Sequence, residues 1–233
     1  MKPRFPNRRN HALTLVEVLV VIVVLVILLL LGFPEGFFGH RLRKSQQISC
    51  SNNLKQIGLA YRIWSGDNND KYPTGISVTL GGSMEMVATG NVTQTFLVMS
   101  NELSTPLLLN CSWDMAHIQT RSFAGLASSN ISYFVGVDAT NDMNPQMIIS
   151  GDDNFEISGA PVKSGLVQFT TNSNVAWTSG RHVPYKEHFW TSTRGIFLGN
   201  IGLADGSVQQ VTTHGLQVML QKTGLTTNRL AIP

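Results

Sequence analysis

Acid is missing from the first twelve residues of this chain, MKPRFPNRRNHA, where Lys2, Arg4, Arg8 and Arg9 place four positive charges. Charge is scarce throughout. Only 13% of residues are charged against 42% apolar, which excludes an intrinsically disordered chain, and the single long apolar run excludes a multi-span membrane protein. The net charge of +3 belongs to the basic start: beyond residue 12, 17 − 4 = 13 basic residues face 14 acidic ones, a net of −1. Composition therefore gives no support for nucleic-acid binding by the bulk of the chain, and no nucleic-acid partner is expected. Cysteine is nearly absent. Cys50 and Cys111 stand alone, without a CxxC or a metal-type cluster, and form one disulfide or remain two buried thiols. A disulfide closing a loop of about sixty residues would stabilise by up to about 4 kcal/mol.

Enzyme signatures are missing as well. No GxSxG, HExxH or P-loop occurs, and the obvious candidates His182, His188, Asp152, Asp153 and Asp205 show no triad or ligand spacing. DNND at 67–70 departs from the EF-hand order because Lys71 falls at the third ligand position. No enzyme, cofactor or metal is expected.

What is present begins with an apolar run from Leu13 to Leu31, nineteen residues interrupted by Thr14 and Glu17. As a helix it would rise roughly 28 Å, enough to cross a bilayer, and the preceding positive charges favour a cytoplasmic N-terminus, although Arg41, Arg43 and Lys44 follow it. A secretory signal peptide has its small residue after the apolar core, whereas Ala12 precedes this one. Glu17 is the anomaly. A carboxylate costs roughly 2.5 to 3.5 kcal/mol at the centre of a membrane helix and less toward its boundary, so it calls for a partner.

The string HALTLVEVLVVI behind a basic leader resembles the processing site of type IV prepilins and type II secretion pseudopilins. That resemblance implies a cut between Ala12 and Leu13 by a prepilin peptidase, N-methylation of Leu13, and an assembly role for Glu17 as the acidic fifth residue. Ala12 and Leu13 replace the commoner Gly and Phe. A cut after Ala12 creates a positive amine four residues before Glu17, on the same chain or a neighbour, and a buried charge becomes tolerable once it has such a partner.

Gly32, Pro34, Gly36 and Gly39 crowd the end of the run, and Pro34 predicts a helix kink. Beyond it Cys50, Leu54, Ile57, Tyr61 and Trp64 recur at helical spacing, giving one apolar face, and Gly66 is expected to end that helix. VTQTFLVMSNEL at 92–103 reads as helix, LLLNC after Pro106 as a buried strand, and SYFVGVD and QMIISGD as strands. Asp205-Gly206 between GIFLGNIGLA and SVQQVTT reads as a hairpin turn of type I′, and Thr213 as the cap of a closing helix. The loop at 181–195, with His182, Tyr185, His188, Phe189 and Trp190, reads as head packing or as an exposed binding surface.

A second resemblance rests on NLKQIGLAYRIW, SYFVG, Gly151-Asp152 and ADGSVQQ, which look like type II secretion-like proteins with a C-terminal DG hairpin. A related group has a His ten residues before that Asp; here the position is Gly195, so the chain is not placed in that group.

Together these readings predict an α+β, pilin-like fold: a long N-terminal helix, transmembrane in its first half, packed on an antiparallel sheet in a C-terminal head. The expected division is a removed leader at 1–12, a transmembrane half at 13–33, an amphipathic continuation at 34–65 and an extracytoplasmic, periplasmic head at 66–233. The expected function is that of a pseudopilin in a type II secretion-like pseudopilus acting in protein export, single-pass in a bacterial inner membrane. Its partners would be prepilin peptidase, other pilin-like subunits, an inner-membrane assembly platform and membrane lipid. A minor type IV pilin for adhesion, motility or DNA uptake, or a membrane-anchored binding domain, is the alternative.

Overall fold

The structure is a computed structural model that describes residues 14–32, 36–178, 181–182 and 197–233. Ala12, Leu13 and the Pro34 kink lie outside the described residues. The chain divides into two compact units at Leu42/Arg43.

In the first unit, helix α1 runs over Leu15–Gly32. Its start is fixed locally. The Thr14 hydroxyl accepts from the Glu17 amide at 3.3 Å while the Glu17 carboxylate accepts from the Thr14 amide at 3.4 Å. This is a capping box, which satisfies two amides that a helix start leaves without partners. Glu17 also places its negative charge in the first turn, where the helix dipole favours it.

Among the described residues no helix is long and apolar enough to cross a membrane. The 18 residues of α1 rise about 27 Å against a hydrocarbon core of about 30 Å. Glu17 leaves only Val18 to Leu31 uninterrupted, about 21 Å. The transmembrane first half expected for the fold, and with it the membrane-anchored, single-pass inner-membrane placement with a periplasmic head, is corrected on this finding. What stands is an α+β fold with an antiparallel sheet.

Helix α2 (Gly36–Asp67) enters the second unit and presents the apolar stripe read from the sequence: Cys50, Leu54, Ile57, Tyr61 and Trp64 are buried while Leu59 and Ile63 are exposed. It ends one residue later than Gly66, where Asn69 and Asp70 adopt φ of 56° and 59° and the Asn68 and Asp70 amides bond the Ser65 carbonyl. Short helices follow, α3 (Met84–Ala88), α4 (Val92–Val98) and α5 (Ser100–Leu103), so the helix expected over 92–103 is broken at Met99. LLLNC is not a strand: Pro106–Leu109 forms a 3₁₀ turn, because Pro106 pre-sets the first position and the Thr105 hydroxyl accepts from the Leu107 amide.

Among the described residues nine strands form two antiparallel sheets. They are β1 (Tyr133–Gly136), β2 (Ile148–Asp152), β3 (Phe155–Ile157), β4 (Ala160–Pro161), β5 (Gly165–Thr170), β6 (Val175–Trp177), β7 (Leu198–Leu203), β8 (Val208–Thr212) and β9 (Thr227–Ile232). The larger sheet has the order β5-β9-β1-β2-β7-β8 and the smaller the order β4-β3-β6. Successive side chains of a strand face opposite ways, and both faces of the large sheet are covered. Tyr133, Val135, Ile149 and Ala231 pack with the α2 stripe, while Phe134, Ile148, Leu230 and Ile232 pack with Phe155, Trp177 and helix α6 (Thr213–Lys222) through Leu216, Met219 and Leu220. Thr212 rather than Thr213 caps α6, accepting from the Gly215 amide at 3.2 Å, while the Thr213 hydroxyl accepts from the Trp177 amide and ties β6 to the helix.

The β7–β8 hairpin turns at Asp205-Gly206, but not as type I′. That turn needs positive φ at both central residues, and only Gly206 has it, at 82°. The Gly206 amide bonds the Leu203 carbonyl, the Leu203 amide bonds the Ser207 carbonyl and the Asp205 carboxylate accepts from the Ser207 amide, so a type I turn closes with a glycine bulge.

Candidate functional site

Asp152 ends β2 and Asp153 follows it, so the two carboxylates leave the strand in different directions. Each reaches a different member of the pair Arg181-His182.

On one side, the Arg181 guanidinium bonds the Asp153 carboxylate at 2.6 Å, the Ser132 carbonyl at 3.0 Å and the Asp114 carboxylate. His117 Nδ1 lies 2.6 Å from Asp114 Oδ2, and its Nε2 lies 3.8 Å from Asp153 Oδ2. These side chains are 3% to 15% exposed, buried enough for an unpaired charge to be costly. Burial pushes Asp114 upward, but the His117 hydrogen bond and the Arg181 charge hold it far below the usual carboxylate range. Burial lifts Asp153 to about 6 despite Arg181 and His117. The bond to Asp114 raises His117 against its own burial. Burial opposes the Arg181 charge, yet Asp153 and Asp114 hold its pKa above the ordinary value.

On the other side, Asp152 Oδ2 accepts from the Asn200 amide at 2.7 Å and its side-chain nitrogen at 3.0 Å, and lies 3.1 Å from His182 Nε2. Asp152, His182 and Asn200 are fully buried. His182 sits at φ 52°, a region non-glycine residues use sparingly, and its ring centroid lies 5.9 Å from that of Trp113. Its Nε2 also approaches Cys111 Sγ at 3.8 Å. Cys111 is bonded to Cys50 across 61 residues, with Cα atoms 4.9 Å apart, which ties α2 to the segment leading into β1. Asn53 bonding the Asn110 carbonyl and Tyr133 bonding the Cys50 carbonyl reinforce that tie.

Two groups among the described residues have the composition of a cation site: Asp114, His117 and Asp153, and Cys50, Cys111 and His182. Arg181 already supplies the positive charge in the first. In the second the sulfurs are bonded to each other. A cavity of about 360 Å³ opens beside the Arg181 network, lined by Trp113, Asp114, Met115, Ala116, Asn154 and Arg181. Because Asp114 and Arg181 are paired with each other, its free walls are chiefly Trp113 and Met115.

The structure thus unites Asp152, Asp153 and His182 and leaves Asp205 in its turn, where its carbonyl accepts from Arg62. His182 is buried rather than part of an exposed loop; Tyr185, His188, Phe189 and Trp190 lie outside the described residues. Sequence reasoning missed Asp114, His117, Arg181 and Asn200. The D-x-x-H spacing of 114–117 and the adjacent Arg181-His182 were the available signals. It also missed the T-x-x-E capping signature at Thr14–Glu17.

In comparison with known families, residues 7–33 match the family described as the prokaryotic N-terminal methylation motif. The chain carries a prepilin-type N-terminal methylation motif. The match covers 27 of 233 residues and contains Ala12, Leu13 and Glu17, so it speaks for the N-terminus and not for the sheet domain. No curated protein and no solved structure matches the chain. What the motif and the site together establish is a methylation-type N-terminus joined to a domain whose polar cluster is built as a disulfide-linked, metal-ligand-like group.

Proposed function

We infer that the chain is a pilin-like structural subunit, cut between Ala12 and Leu13 by a prepilin peptidase and methylated on Leu13. Processed subunits stack with other pilin-like subunits into a type II secretion-like pseudopilus acting in protein export. The observation that carries this reading is the methylation motif over residues 7–33. Two structural features support it. The Glu17 carboxylate turns back to the Thr14 amide, one residue from the amine that a cut before Leu13 would create. The apolar side chains of α1 from Leu15 to Leu29 are exposed, a surface of the kind that a neighbouring subunit would cover. In this reading the chain is a substrate of the peptidase and not itself an enzyme; of the candidate residues, Asp152 is paired with His182 and Asp153 with Arg181.

Paired variants separate an assembly role for Glu17 from simple helix capping. Glu17→Ala and Thr14→Ala both break the capping box, at about 0.5 to 2 kcal/mol of helix stability. Only Glu17→Ala removes the charge. Both should be cleaved, Thr14→Ala should assemble with pilin-like subunits in electron micrographs, and Glu17→Ala should not. Equal behaviour of the two would assign Glu17 to capping alone.

A further inference from the structure

A second cavity, of about 330 Å³, lies between α2 and the β7–β8 hairpin. Gln47, Ser51, Asn52 and Lys55 line it from the helix, Asn200 and Gln210 from the strands. Gln47, Ser51 and Lys55 follow one another at four-residue spacing and so share one flank of α2. Asn200 and Gln210 are directly opposed in the β7–β8 ladder, so their side chains share one face of the sheet. Val208, two residues before Gln210, packs with the α2 core, which identifies that face as the one α2 covers.

Asn200 is the fixed point of the cavity. It is fully buried, and its backbone amide and Nδ2 both donate to Asp152 Oδ2, at 2.7 and 3.0 Å. That contact commits the nitrogen of the side chain inward and leaves Oδ1 without a hydrogen-bond partner among the described residues. A buried acceptor without a donor is costly, so this oxygen calls for an O–H or N–H from a bound group. Among the described residues, none of Gln47, Ser51, Asn52, Lys55 and Gln210 spends its side chain on an internal hydrogen bond or ion pair. The helical wall is held by its own neighbours: Cys50 is bonded to Cys111, and Asn53 Nδ2 donates to the Asn110 carbonyl at 3.0 Å. A wall fixed in advance lowers the ordering cost of binding.

The lining selects by what it lacks. It holds no carboxylate to face a cation and no aromatic ring to stack on a base, and Ile48 is its one apolar side chain. Its amides and the Ser51 hydroxyl both donate and accept, as the hydroxyls of a sugar do, and Lys55 supplies the single charge. We propose that this cavity binds an acidic sugar, a hexuronate, with its carboxylate on Lys55, its hydroxyls on the amides and one of them donating to Asn200 Oδ1. The volume stands at the small end of ligand sites and suits a single sugar ring. The carboxylate pairs with an exposed ammonium, so that part of the affinity is screened by salt.

Because α1 exposes apolar side chains, the full chain is held in a sugar-free detergent. It is titrated with glucuronate, galacturonate and mannuronate by saturation-transfer NMR, with glucose, galactose and mannose as their neutral counterparts and acetate as a carboxylate without hydroxyls. At least one hexuronate should bind saturably with Kd on the order of 1 mM, about fivefold tighter than its neutral counterpart, while acetate shows no saturation. Lys55→Gln should erase that difference, raised salt should narrow it, and Gln210→Ala should weaken acid and neutral sugar alike. Both residues are exposed, so the variants should keep the urea midpoint of the unaltered chain. Lys163→Gln, at an exposed lysine outside the cavity lining, should bind as the unaltered chain does. No saturable binding of any hexuronate at about tenfold above the expected Kd, equal binding of acid and neutral sugar by the unaltered chain, or a preference for the acid that survives Lys55→Gln would each overturn the proposal.

Discussion

Arg181 carries more of the site than any other residue, because one guanidinium serves Asp114, Asp153 and the Ser132 carbonyl. Arg181→Ala would leave two buried carboxylates facing each other and should cost about 3 to 5 kcal/mol, measured by urea unfolding. The same cluster should give stability an unusual pH profile. Asp153 has a folded pKa of about 6, above its ordinary value, so the folded chain holds the extra proton and stability falls as pH rises from about 4 to 6. His117, also raised, contributes stability below its ordinary pKa and loses it as pH rises through the folded one. Asp114, depressed, contributes above the ordinary carboxylate pKa and loses it in stronger acid. The cluster's contribution should therefore peak near pH 4 and decline toward neutrality. Asp153→Asn should flatten the first part of that decline and His117→Gln the second, in urea midpoints measured across the range. Asp153 and the D-x-x-H of 114–117 are visible in the sequence, but their union is not, since Asp114 and Arg181 are 67 residues apart and meet only in the fold.

Helices were more legible than strands because their period is local. The spacing of Cys50, Leu54, Ile57, Tyr61 and Trp64 marks the buried face of α2, and the two faces should respond differently to truncation. Leu54→Ala, at a position 1% exposed, should cost about 2 to 5 kcal/mol. Leu59→Ala, at 56% exposed, should fall within about 0.5 kcal/mol in the same unfolding assay. Short elements misled where two local signals competed. The apolar run LLL suggested a strand, but Thr105 and Pro106 form a cap and a first turn, and they decide the outcome. At Asp205-Gly206 the dipeptide marked the turn, yet its type was set by the bulge that Gly206 alone permits. The start of α1 is written plainly in T-L-V-E, where Glu17 serves as the capping partner of Thr14.

For the whole molecule, the sheet domain and the N-terminal motif answer different questions. Among the described residues the large sheet is covered on both faces, by α2 on one side and by α6 with the small sheet on the other. Helix α1 differs: its apolar side chains from Leu15 to Leu29 are exposed. That contrast supports the view that the N-terminal segment acts toward partners while the sheet domain supplies a stable body. The central claim is that residues 7–33 are a working processing signal, and intact mass plus N-terminal fragment analysis of the chain from its native cell tests it most directly. The account predicts a mature chain that begins at Leu13 with one methyl group on its amine. A chain that still carries Met1 and the basic leader, or one whose first residue lies beyond Leu31, would contradict it.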